Sequence, residues 1–147
     1  KNEYIQECLI KQMNSHILKK EYIAIVSGIL NDKSGTINLP ISRKDGSIIE
    51  RCVSEDGQTA ITDYSVIKEL DNMSVVKCVL QTGRTHQIRV HFSAIGHPLI
   101  GDFLYSSKSD FINRQALHSY HISFIHPISN KIINIYCELP DDMKKIG

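Results

Sequence analysis

Residues 20–28, Lys-Glu-Tyr-Ile-Ala-Ile-Val-Ser-Gly, carry two apolar rows on one strand. Successive strand side chains alternate, so Tyr22, Ala24 and Val26 take one face and Ile23 and Ile25 the other. A strand that is apolar on both faces has to be covered on both. It therefore belongs near the middle of a sheet, with a layer on each side, and the rest of the chain has to supply those layers.

The remaining patterns supply them. Tyr4, Ile5, Cys8, Leu9 and Met13 recur at helical spacing within residues 1–14. Residues 31–58 are rich in Gly, Asp, Ser and Lys, with Asp45-Gly46 and Asp56-Gly57 as turn signals, which predicts short strands or a mobile loop. Residues 59–68 and 73–81 read as two strands joined around Asp71-Asn72. Ile88, Phe92 and Ile95 mark one helical face that stops at Gly96, with Thr82 or Thr85 available as cap. Residues 118–125 and 131–138 form a hairpin across Pro127-Ile128-Ser129-Asn130, and Pro140-Asp141-Asp142 opens a short last helix. Strands and helices mix without regular alternation. The expected fold is α+β, a mixed, mainly antiparallel sheet with flanking helices.

A chain of 147 residues suits one domain. No apolar run approaches the roughly 20 residues of a membrane helix. Cys8, Cys52, Cys78 and Cys137 form no C-x-x-C pair and read as reduced thiols of a cytoplasmic protein. The net charge of +1 argues weakly against a nucleic-acid binder, but its distribution argues the other way. Residues 72–101 contain no Asp or Glu, and they hold Lys77, Arg84, His86, Arg89, His91 and His97. An acid-free basic window in a near-neutral chain points to an anionic ligand on one face.

Within that window lies Gln81-Thr82-Gly83-Arg84-Thr85-His86-Gln87-Ile88-Arg89-Val90-His91. A strand ends in a glycine turn and feeds a helix whose first turn carries Arg84, Thr85 and His86. Free N–H groups and a partial positive charge at such a terminus favour a phosphate. Arg84 and His86 would add charge-assisted hydrogen bonds. Arg89 is off the apolar stripe and free to face a cleft. A solvated helix face with an ordinary glycine turn is the competing reading.

The segment from Thr82 to His91 resembles the signature of the ribosomal large-subunit type of pseudouridine synthase, and Gly96-His97-Pro98-Leu99-Ile100-Gly101-Asp102, ending at Tyr105, continues it. The strand at residues 20–28 resembles the family's Lys-x-Tyr-x-Ala-x-Val-x-Gly segment. Ala60, Thr62 and Tyr64, then Gln115-Ala116-Leu117-His118 and Phe124-Ile125-His126-Pro127, resemble later motifs in family order. The resemblance covers nearly the whole chain. It implies an isomerase that converts uridine to pseudouridine in structured RNA, without metal or cofactor. The RNA is expected to be ribosomal, with transfer RNA as the alternative.

The resemblance also assigns roles. Tyr22 matches the active-site tyrosine that packs on the flipped base and can shuttle a proton; a plain core tyrosine is the competing reading. Arg89 matches the arginine that pairs with the catalytic aspartate. Leu117 matches an apolar residue lining the base pocket. Arg84, Thr85, His86 and Gln87 are expected to contact the RNA backbone. Asp102 is read as structural, not as nucleophile.

The family's aspartate sits in a His-Arg-Leu-Asp segment, and no such segment occurs here. The chain opens on Lys1, so residues 1–147 are expected to be the C-terminal part of a catalytic domain, inactive alone, with Arg89 lacking its partner. An exposed sheet edge would then favour self-association. Two other classes remain open. One is a non-catalytic RNA-binding module with the same surface. The other is a metal site, since six of seven histidines fall between His86 and His126. His86 and His91 are five apart and His118 and His121 three apart, so neither gives the i, i+4 pair of a zinc helix, and on a regular strand the second pair would face opposite sides.

Overall fold

The computed structural model describes residues 3–15, 17–47, 49–106, 109 and 111–146. Lys1 and Asn2, at the head of the expected first helix, lie outside the described residues. The elements follow in the order α1 (Glu3–Asn14), β1 (Lys19–Ser27), β2 (Ser34–Asn38), β3 (Ile41–Arg43), β4 (Arg51–Val53), β5 (Ile61–Leu70) and β6 (Met73–Leu80). Then come α2 (Gln87–Ala94), β7 (Leu117–Ile125), β8 (Ile132–Tyr136) and α3 (Asp141–Lys144).

Six strands form one sheet in the order β2-β5-β6-β1-β7-β8, and β3 pairs with β4 in a separate two-stranded ribbon. The protein is α+β, and every strand pair among the described residues is antiparallel. The doubly apolar strand β1 lies inside the sheet, between β6 and β7, as its two rows require. Ala24 and Val26 pack with Val76, Cys78 and Leu80 of β6 under Ile88 and Phe92 of α2. Ile23 and Ile25 pack on the opposite face with Val75, Ile112, Ala116 and Met143 of α3. The apolar side of α2 thus covers one face of the sheet, and Met143 of the short α3 helps to cover the other together with Ile112 and Ala116.

The β5–β6 turn falls where the sequence places it. Asn72 takes a left-handed conformation with φ 57°, which a short polar side chain tolerates. The segment after β2, expected as short strands or a loop, is the β3–β4 ribbon, and it docks on α2. There Ile41 and Ala60 pack with Val90. An ion pair anchors the far end of the chain: Arg114 Nε and Nη2 reach Asp142 Oδ2 and Oδ1 at 3.0 and 2.9 Å.

Strand β7 departs from regular alternation. Ser119 lies opposite Tyr22, yet His121 lies opposite Glu21, so β7 spends one residue more than β1 at that step. The bulge cancels the alternation, and His118 and His121 come to stand across from Ile23 and Glu21, which belong to one face of β1. The expectation that they face opposite sides is corrected. Neither is spare: His118 Nε2 donates to the Cys137 carbonyl at 2.8 Å, and His121 stacks on Tyr136 with ring centroids 4.2 Å apart. Among the described residues no helix is long and apolar enough to cross a membrane.

Candidate functional site

The basic turn and helix lie on the β1 face that carries Tyr22. Tyr22 and Leu117 both pack against the cluster that contains Ile88. Leu117 is the register partner of Ala24, two residues along β1 from Tyr22, so the two share a face as diagonal neighbours. Burial pushes the Tyr22 phenol up from its ordinary value, so its hydroxyl stays protonated at neutral pH.

The helix begins later than the pattern predicts. It starts at Gln87, and Arg84, Thr85 and His86 form the turn before it. His86 is the N-cap residue, left-handed at φ 57°, and no side chain caps the helix. Neither Thr82 nor Thr85 fills that role. Gln87 braces the turn that precedes the helix instead. Its Oε1 accepts the Arg84 N–H at 3.0 Å and the Thr82 hydroxyl at 2.7 Å, and its backbone N–H donates to the Arg84 carbonyl at 3.1 Å. The turn is therefore held by local bonds that use part of the donor set a phosphate would want.

The Gln87 amide continues inward. Nε2 donates to the Ile61 carbonyl and to Thr62 Oγ1, both at 2.9 Å. The Thr62 hydroxyl meets His91 Nδ1 at 2.9 Å, and His91 Nε2 meets the Leu39 carbonyl at 2.9 Å. A carbonyl only accepts, so the His91 proton sits on Nε2, and Nδ1 takes the Thr62 proton. Thr62, Gln87 and His91 are all buried. This relay ties α2 to β5 and to the segment after β2. Gln87 was expected at the RNA; buried, with its amide fully engaged, it serves as scaffold instead. Thr85 is exposed, while Arg84 and His86 are half-buried, so these three remain at the surface. Arg84 Nε donates to the Thr59 carbonyl at 2.7 Å, which braces the side chain along its length.

Arg89 is not without a partner. Its Nε donates to Asp102 Oδ2 at 2.9 Å and its Nη2 to Asp102 Oδ1 at 2.8 Å, a bidentate pair. Asp102 is 1% exposed. The guanidinium also lies over the Tyr105 ring, with Cζ 5.1 Å from the centroid. The family resemblance implies a carboxylate upstream of β1 for Arg89; Asp102, thirteen residues downstream, takes one edge of the guanidinium. The Nη1 edge makes no hydrogen bond among the described residues, and no buried side-chain nitrogen or oxygen there lacks a partner, so that edge is open. Gly101 aims Asp102: with φ 79° and the Arg114 carbonyl 2.1 Å from where a Cβ would stand, only glycine fits the turn.

Tyr105 joins the last pieces. Its hydroxyl accepts the Arg51 backbone N–H at 2.9 Å and meets His86 Nδ1 at 2.7 Å. Burial, and the nearby Arg89 and Arg51 charges, hold the His86 pKa below its ordinary value. The sequence reading missed the part Tyr105 and Arg51 play. Tyr105 closes the motif that begins at Gly96, but nothing in the spacing shows what its hydroxyl meets, because the contacts join its loop to the start of β4 and to the turn before α2. Among the described residues no three His, Cys, Asp or Glu side chains gather as metal ligands would.

The chain is 44% identical over 146 residues to the uncharacterized RNA pseudouridine synthase YjbO of Bacillus subtilis, a match covering 99% of this chain and 52% of that protein. It is 39% identical to the ribosomal large subunit pseudouridine synthase D of Zymomonas mobilis, over 92% of this chain and 46% of that one. It thus spans about half the length of the curated relatives it matches. The solved structure of human RNA pseudouridylate synthase domain containing 1 superposes with a TM-score of 0.77 at 26% identity, covering 93% of this chain and 61% of that chain. The family model described as RNA pseudouridylate synthase matches residues 1–94, which hold β1 and the turn and helix that carry Arg84 to Arg89. With that match and with this geometry, the chain belongs to the RNA pseudouridylate synthase family.

Proposed function

We propose that the protein isomerises uridine to pseudouridine in structured RNA, with ribosomal RNA as the substrate class, and that residues 1–147 are the C-terminal part of its catalytic domain. It acts in the cytoplasm and needs no metal or cofactor. The observation that carries this reading is Arg89, a guanidinium locked along one edge and open along the other. An open, pre-oriented cation suits a reacting carboxylate, which it keeps ionised and aimed. That carboxylate belongs to the half of the relatives' length that this chain does not span.

Tyr22 and Leu117 form the apolar wall against which a flipped base stacks. With its phenol protonated, Tyr22 contributes a ring face and a hydroxyl donor first, and takes a proton only when another group relieves it of its own. Arg84, Thr85 and His86 hold the RNA backbone and fix its position without reading bases. In the reaction the carboxylate bonds to C1′ as the glycosidic bond to N1 breaks. The detached base turns, C5 bonds to C1′ as the carboxylate leaves, and the proton lost from C5 is balanced by one gained at N1.

The test is made on the complete protein with unmodified ribosomal and transfer RNA transcripts. Pseudouridine is read by carbodiimide adducts that stop reverse transcription. The expected result is pseudouridine in ribosomal RNA, and none with Arg89→Ala. Pseudouridine only in transfer RNA would move the substrate class. RNA bound with no pseudouridine formed in either would overturn the enzyme reading in favour of a non-catalytic RNA-binding module.

A further inference from the structure

We propose that the Asp102–Tyr105 loop is a positioning device that presets two hydrogen-bond donors of the site, the Nη1 edge of Arg89 and the Nε2–H of His86. The inference rests on the functional reading above, and adds to it which residues fix the donors and which tautomer His86 adopts.

The Arg89 half follows from donor counting. A guanidinium has five N–H groups, and Asp102 takes one from Nε and one from Nη2. The Tyr105 backbone N–H reaches Asp102 Oδ1 at 3.4 Å, and the Tyr105 ring lies against the guanidinium face. Edge and face are thereby fixed at once, and rotation about the last side-chain bonds is blocked. Asp102 is wholly enclosed and doubly engaged, so it cannot reach a substrate; it acts on the reaction through Arg89 alone.

The His86 half follows from the Tyr105 hydroxyl. That oxygen already accepts from the Arg51 N–H. Its own proton needs an acceptor, and His86 Nδ1 is 2.7 Å away. Tyr105 therefore donates to Nδ1, which has to be unprotonated, and the ring proton resides on Nε2. The ring planes of His86 and Tyr105 meet nearly edge to face at 82°, which leaves the imidazole a single orientation. His86 is then a neutral donor at the surface, half-buried, beside Arg84 and Thr85.

The experiment has two parts. The first is nitrogen-15 NMR of the imidazoles of the complete protein at neutral pH. A protonated Nε2 and an acceptor-type Nδ1 at His86 are expected, collapsing to mixed tautomers in Tyr105→Phe. A protonated Nδ1 in the unaltered protein would overturn the His86 half, whatever the enzyme does. The second part measures kcat and KM on the RNA that the unaltered protein modifies. Asp102→Asn is expected to lower kcat about 100-fold with KM little changed, since it releases the aim of Arg89 without touching RNA. Tyr105→Phe is expected to raise KM about fivefold to tenfold through the lost His86 donor, with the smaller effect on kcat. Unchanged kcat in a folded Asp102→Asn protein would overturn the Arg89 half. If that variant unfolds, Asp102→Glu, which keeps the charge but moves the carboxylate, takes its place, and the same kcat loss at unchanged KM is required. An unaltered protein that makes no pseudouridine would sink the functional reading, and the NMR result would stand apart from it.

Discussion

Gln87 and Arg84 hold each other across the turn that opens α2: the Gln87 backbone N–H donates to the Arg84 carbonyl, and the Arg84 N–H donates to Gln87 Oε1. The same amide reaches Thr82, Ile61 and Thr62, so one buried side chain ties a turn, a strand and a helix together. Gln87→Ala leaves several buried polar groups unsatisfied. It is expected to cost about 2–4 kcal/mol in urea unfolding at neutral pH. An unchanged midpoint with weakened RNA binding would return Gln87 to the surface role first expected of it.

His91 gives the fold a pH dependence. Burial lowers its pKa below the ordinary 6.5, with only partial compensation from the Leu39 carbonyl. As pH falls through 6.5, the unfolded chain takes up a proton that the folded chain refuses, so stability is complete above that pH and declines below it. His86 shifts in the same direction and adds to the loss. The urea midpoint is expected to drop between pH 7.5 and 5.5, and the drop should shrink in His91→Gln, a variant less stable at neutral pH. An undiminished drop in that variant would assign the effect to other groups.

Gly101→Ala tests the turn that aims Asp102. The added methyl meets the Arg114 carbonyl in a backbone conformation that alanine resists, so the loop has to move. A loss of about 2–4 kcal/mol is expected in thermal or urea unfolding. In the complete protein the activity remaining at a temperature where the variant is folded should fall as it does for Asp102→Asn, because both release the same guanidinium.

Arg84 tests the RNA surface. Its charge sits beside exposed Thr85 in the acid-free window, and it makes no ion pair among the described residues. RNA binding is expected to weaken as salt rises, and Arg84→Ala should lower affinity to a similar degree for RNAs of different sequence while reducing the salt slope by about one. Filter binding at several salt concentrations measures both. A loss confined to one sequence would make Arg84 a reader of bases.

What the sequence disclosed and what it hid divide along the range of the interactions. Strand β1 was legible because its two apolar rows are local, and so were the β5–β6 and β7–β8 hairpins, whose turns carry Asn72 and Asn130 at positive φ. The helix α2 starts later than the pattern predicts because Gln87, held against β5, fixes Arg84 to His86 as a turn before it, and no side chain caps it. Ile95, taken as part of the apolar stripe, is 36% exposed, since it lies past the last turn of the helix. The partner of Arg89 could not be read from spacing, because Asp102 reaches it only after the chain has passed through the Gly96 turn and the loop that follows. The bulge on β7 left no mark in composition, and without it the facing of His118 and His121 comes out wrong.

Strand β8 closes the sheet on one side and leaves a row of backbone N–H and C=O groups unpaired by any described strand. Its side chains do little to protect it: Ile132, Ile135 and Tyr136 are 70%, 53% and 64% exposed. Natural edge strands carry charges, prolines or bulges that discourage pairing, and here the only charge beside the strand is Lys131. Taken alone, the 147-residue chain is therefore expected to self-associate through β8, with a light-scattering mass that rises with concentration. Ile132→Lys places a second charge on the edge and should return the mass toward that of one chain while leaving the urea midpoint nearly unchanged, because the side chain it replaces buries little. A constant single-chain mass across the concentration range would mean that the edge is too twisted or too short to template another copy.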